Sequence, residues 1–134
     1  MKIDFTLTTE ISAKPDQIYN AWLDSKAHNE MTEGEGAIQS HTLGAIQKAH
    51  GNYIWGKNLE LVPYSKIAQS WRTLAFVKSD EDSIVEVRFE EQNGKTKLTL
   101  IHTNVPEKEF HVKKGWVDHY FEPMQRYFSS KRNK

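Results

Sequence analysis

The sequence predicts an α+β fold: an antiparallel sheet of about seven strands covered by one long C-terminal helix, with two short helices between the first two strands. Three observations carry this. Period-two alternation opens the chain and returns through its middle, Asn93-Gly94 marks a tight hairpin, and after Pro106 the apolar spacing lengthens to that of a helix. A sheet with one apolar face needs an amphipathic partner to cover it, and the final segment is long enough to serve.

The elements follow in order. Ile3, Phe5, Leu7, Thr9 and Ile11 alternate with Asp4, Thr6, Thr8 and Glu10, the pattern of a half-buried strand. Pro15 then opens a short helix, since its fixed φ and missing N–H cost little in a first turn, and Ile18 and Trp22 share one face of it. Ser25 to Glu35 reads as a short irregular helix running into the loop Glu33-Gly34-Glu35-Gly36. A meander follows. Turns at Leu43-Gly44, Gly51-Asn52 and Pro63-Tyr64-Ser65 separate the strands 37–41, 45–50, 53–62 and 66–72.

Asn93-Gly94 suits a type I′ turn, whose two central residues both need positive φ. Counting outward pairs Phe89 with Leu98, Val87 with Leu100 and Val85 with His102 on one face. Glu90 with Lys97 and Arg88 with Thr99 fall on the other. The closing helix is expected over 108–129, with Val112, Trp116, Tyr120 and Met124 at four-residue spacing, joined by Phe121, Tyr127 and Phe128. Pro123 within it should remove a hydrogen bond near His119 and bend it there.

Composition excludes several function classes. At 134 residues the chain is the size of one domain, 1–134, and 18 Lys+Arg balance 18 Asp+Glu. That balance argues against nucleic acid and against an anionic membrane surface. No cysteine is present, so disulfides, thiolate nucleophiles and thiolate metal sites are excluded. The alternating N-terminus has no apolar signal core and no window reaches the roughly 18 apolar residues of a span, so a cytoplasmic location is expected.

Gly51-Asn52-Tyr53, Trp55-Gly56, Leu61-Val62-Pro63 and Ile67 with Trp71-Arg72 resemble the central strand pair of one family. Asn93-Gly94 with Thr96-Lys97-Leu98 resembles its last hairpin, and Gly115-Trp116 followed by Tyr120-Phe121-Glu122 and Phe128 its closing helix. That family is the C-terminal domain of the activator of the 90-kDa heat-shock chaperone ATPase, with its stand-alone relatives. The resemblance implies a START-like helix-grip fold, a curved sheet wrapped around the long helix with a cavity between them. It also implies a choice of partner, a small apolar ligand or the 90-kDa chaperone. Eukaryotic members carry a separate N-terminal domain that makes most of the chaperone contact; this chain lacks one, which favours the ligand. A monomer or weak homodimer is expected, and no cofactor.

With the helix gripping the sheet, the candidate cavity residues are Tyr53, Trp55, Trp71, Val85, Phe89, His102, Trp116 and Tyr120. Tyr53, Trp55, Leu59 and Leu61 are expected on one inward face. Aromatics with a few polar tips are what an apolar pocket needs, although such stripes also simply fill cores. His102 is the polar group that the hairpin register aims inward. It could orient a ligand or act as a base, or be a hydrogen-bonded structural residue. Some helix-grip relatives catalyse cyclase- or hydrolase-like reactions in the same cavity, and His102 with Tyr120 would be the pair to carry one. The remaining histidines show no metal spacing, His111 and His119 being eight apart, and no nucleophile elbow or phosphate loop occurs. A non-enzymatic binding module is therefore expected.

Overall fold

The computed structural model describes residues 2–51 and 53–132, the last three of them as backbone only. Six strands form one antiparallel sheet: β1 (Lys2–Ile11), β2 (Ile46–Ala49), β3 (Ile54–Val62), β4 (Lys66–Thr73), β5 (Ser83–Gln92) and β6 (Lys95–Pro106). Their spatial order is β1-β6-β5-β4-β3-β2, so the meander runs from β2 to β6 and the first strand closes the far edge. Between β1 and β2 lie α1 (Pro15–Trp22) and α2 (Ser25–Thr32). The chain ends in α3 (Val112–Trp116), a π-helical turn (Val117–Phe121) and α4 (Glu122–Arg132), preceded by a 3₁₀ turn at Glu107–Glu109.

The β5–β6 hairpin has the register counted from Asn93-Gly94. Phe89 faces Leu98, Val87 faces Leu100 and Val85 faces His102. Both turn residues have positive φ, 56° at Asn93 and 81° at Gly94, as a type I′ turn requires. The inward partners Val85, Val87, Leu98, Leu100 and His102 are all buried. On β1 the alternation appears as alternately exposed and half-buried residues ending on the buried Ile11. Asn52 of the expected Gly51-Asn52 turn lies outside the described residues. His50 and Gly51 beside it both take left-handed φ, 52° and 69°.

Two expectations are corrected. The segment 37–41 is not a strand: it makes one isolated bridge, Ile38 to Lys48, and Ile38 is 51% exposed. Side chains take up its backbone groups instead. Asn29 Oδ1 accepts from Ala37 N, Ser25 Oγ from Gln39 N, and Asn58 Nδ2 donates to the carbonyls of Ser40 and Thr42. Backbone bonded to side chains has nothing left for a ladder. The second correction concerns β3. Its inward positions at the start are Ile54 and Asn58, both buried, and not Trp55. Trp55 stands opposite Lys48 and Arg72 and so shares their outward face. A bulge between Asn58 and Glu60 leaves Leu59 47% exposed and brings Leu61 against the core. Tyr53 precedes the strand.

The closing helix departs from regularity where Pro123 demanded it. Proline cannot donate to the His119 carbonyl, and the chain winds one wider turn just before it, with Glu122 N–H bonded to the Val117 carbonyl five residues back. The extra residue in that turn lets Tyr120 and Phe121 both point inward, followed by Met124 and Phe128.

Candidate functional site

A cleft of about 380 Å³ opens between the sheet and the C-terminal helix, beside the turn that joins β2 to β3. Ile54 and Trp71 border it from β3 and β4, His50 and Tyr53 from the turn, and His111, Val112, Gly115, Trp116, His119 and Tyr120 from the helical side. Its bounding surface is mostly apolar. Two helical stripes explain this. Val112, Trp116 and Tyr120 recur every fourth residue and pack into the core, while His111, Gly115 and His119 form the adjoining row.

The aromatic wall is one connected stack. The Trp71 and Trp116 rings lie 5.7 Å apart by centroid, Trp116 and Tyr120 4.7 Å, and Trp22 packs behind Tyr120 at 5.1 Å. Tyr53, 41% exposed, stands at the cleft's open side.

Behind the wall lie two histidines whose protonation is set by their partners. His102 is fully buried; its Nδ1 accepts from the Trp116 indole at 3.0 Å, and an indole N–H can only donate. The neutral ring therefore carries its proton on Nε2, which donates to Ser83 Oγ at 2.8 Å. Ser83 Oγ in turn donates to the Trp71 carbonyl. Burial pushes the His102 pKa down to about 3. His28 holds the opposite tautomer. Its Nδ1 donates to the Trp22 carbonyl at 2.8 Å, leaving Nε2 to accept the Tyr120 hydroxyl at 2.8 Å. Burial lowers His28 to about 4 and raises Tyr120. Both rings are neutral, fully bonded and cut off from solvent, so His102 and Tyr120 hold the wall in place.

A buried amide network lies on the same inward face of the sheet, beyond Trp22. Gln69 accepts from the Trp22 indole and donates to Asn58 and Gln39, Gln39 donates to Gln47, and Gln47 donates to the Ser70 carbonyl. Every member is satisfied, which anchors α1 and the 37–45 loop to β3 and β4.

Of the eight residues singled out from sequence, the structure brings Tyr53, Trp71, Trp116 and Tyr120 together around this cleft. His102 lies directly behind Trp116. Val85 and Phe89 are core residues that do not border it, and Trp55 is on the opposite face of the sheet. Sequence reasoning missed His50, Ile54, His111, Val112, Gly115 and His119. The helical ones carried a signal, His111-x₃-Gly115-x₃-His119 on one face. His50 had none, because only the fold brings it to the helix.

Comparison with known proteins closes on one family. Residues 12–129 match the family described as Activator of Hsp90 ATPase homolog 1-like protein. A curated relative from Dictyostelium discoideum, "Activator of 90 kDa heat shock protein ATPase homolog", is 23% identical over 124 residues, 92% of this chain and 32% of its own. The chain thus spans about a third of that relative's length. Among solved structures, an HSP90 activator from Plasmodium falciparum superposes with a TM-score of 0.82 at 24% identity, covering 92% of this chain and 94% of that one. The Aha1 dimer from Colwellia psychrerythraea has a TM-score of 0.77 at 14% identity, covering 94% and 96%. At these identities the likeness is one of fold, the helix grip described above.

Proposed function

Because the chain belongs to the Activator of Hsp90 ATPase homolog 1-like family, whose helix-grip fold it has, we propose that it is a non-enzymatic module that binds a small apolar ligand between sheet and helix. The observation that carries this is an aromatic cleft bordered by a helical glycine. Gly115 sits inside α3, where glycine is less stable than alanine by ~0.5–1 kcal/mol. A Cβ added there would meet only His119 Cδ2 at 3.9 Å, so packing does not demand glycine. A pocket of this size and aromatic lining suits a compact hydrophobic molecule.

Against the cyclase- or hydrolase-like alternative weighs the engagement of His102 and Tyr120 with interior partners, Ser83, Trp116 and His28. Family membership supports a second role, association with the 90-kDa chaperone. Its test is whether the purified protein raises that chaperone's ATP turnover, and no rise at saturating protein removes the role. For the ligand, the test is titration with N-phenyl-1-naphthylamine, a neutral dye that fluoresces in apolar sites. Saturable one-to-one binding is expected, weakened at least about tenfold in Gly115→Phe, which fills the cleft. Equal binding by that variant, or no saturable binding at all, contradicts the proposal.

A further inference from the structure

His50 is the third histidine of the interior and the odd one. His28 and His102 have both ring nitrogens hydrogen-bonded, whereas His50 Nε2 is buried and meets no hydrogen-bond partner among the described residues. Its backbone holds the left-handed region at φ 52°, strained for a non-glycine residue. Its ring packs on Gly34, where even a Cβ would come within 3.1 Å of Nδ1. An unsatisfied buried polar atom in a strained, tightly held residue is the signature of a group kept for a partner.

The surroundings say which partner. The His50 ring lies 5.8 Å from the His119 ring and 5.6 Å from Tyr120 by centroid, all three bordering the cleft. The Tyr120 hydroxyl is committed to His28. His111, the remaining histidine of the cleft, has Glu109 at 3.8 Å. Neither carboxylate nor lysine nor arginine borders the cleft among the described residues. Neutral imidazoles can ligate a cation, but no group of three or more metal-ligating side chains occurs among the described residues, and a neutral ligand gains little from the two rings beyond apolar contact.

We propose that the occupant of this cleft is an acidic amphiphile, a compact apolar body bearing one carboxylate, sulfonate or phosphate, whose anionic oxygen is held by His50 and His119 while the body lies against Trp71 and Trp116. This rests on the ligand-binding reading above. Burial first and His119 second lower the His50 pKa, and an anion beside that ring acts in the opposite direction.

The test uses a matched pair of probes, 1-anilinonaphthalene-8-sulfonate and N-phenyl-1-naphthylamine, which share a ring system and differ by the sulfonate. The full chain is titrated with each, alongside His119→Gln, His50→Asn and Gly115→Phe. His119 is exposed and Asn tolerates the left-handed φ at position 50, so the fold survives in both, as circular dichroism will verify. The sulfonate is expected to bind at least about tenfold tighter than the neutral dye, and each histidine variant to lose most of that preference. Equal affinity of the two dyes, or a preference that survives both histidine substitutions, overturns the acidic-ligand inference while leaving the cleft reading intact. Binding of both dyes that is indifferent to Gly115→Phe, or no binding of either, overturns the cleft reading and this inference with it.

Discussion

Lowering the pH from 7.5 to 5.0 should remove about 4 kcal/mol of folding stability, through two histidines alone. His28 is held near 4 and His102 near 3, against 6.5 for an ordinary imidazole. Both folded values lie below the unfolded one. The stability these groups supply is therefore complete above the unfolded pKa and is lost as the pH falls from there toward the folded values. At pH 5.0 almost every unfolded imidazole carries a proton and almost no folded one does, so each residue forfeits about 2 kcal/mol relative to high pH. Together that is a large share of the 5–15 kcal/mol typical of a domain. Carboxylates ionise mostly below this window, so they contribute little to the difference. Urea unfolding at the two pH values measures it directly. Long-range ¹H–¹⁵N spectra add an independent check: His102 should be protonated on Nε2 and His28 on Nδ1. Equal stability at pH 7.5 and 5.0, or a doubly protonated ring at either position at pH 5.5, would refute the reasoning.

Other outcomes follow from the same packing. Gly115→Ala should raise stability by ~0.5–1 kcal/mol in thermal unfolding, because helix propensity improves and nothing is displaced. Gly56→Ala should unfold the chain or cost more than ~3 kcal/mol, since its Cβ would fall 1.8 Å from the Ser70 carbonyl oxygen on the neighbouring strand. Ser83→Ala should cost ~1–3 kcal/mol in urea unfolding, as it strands the buried His102 Nε2–H and the Trp71 carbonyl.

Period and turn chemistry made most of the fold legible. Asn93-Gly94 sets the β5–β6 register residue by residue, because a two-residue turn fixes the pairing and alternation then puts Val85, Val87 and Phe89 on the face of Leu98 and Leu100. The position of Pro123 pointed to an irregular helix, though not to its form as a π-turn. Where sequence reasoning failed, the deciding contacts were distant. Residues 37–41 alternate well enough for a strand, but Ser25, Asn29 and Asn58 claim their backbone. Along β3, alternation could not say which face is inside, and cross-strand pairing with Arg72 turned Trp55 outward. The aromatic half of the cleft was readable as bulky residues on gripping elements. Its histidine half was not, because His50 and His119 are sixty-nine positions apart in sequence and meet only in the folded chain.

The four tryptophans offer the most direct measurement. With indole ¹⁵N labelling, titration with N-phenyl-1-naphthylamine should shift the side-chain resonances of Trp71 and Trp116, which border the cleft, and leave that of Trp55, on the opposite face, unmoved. A Trp55 shift as large as theirs, or no shift of Trp71 and Trp116 at saturating dye, would contradict ligand binding between sheet and helix.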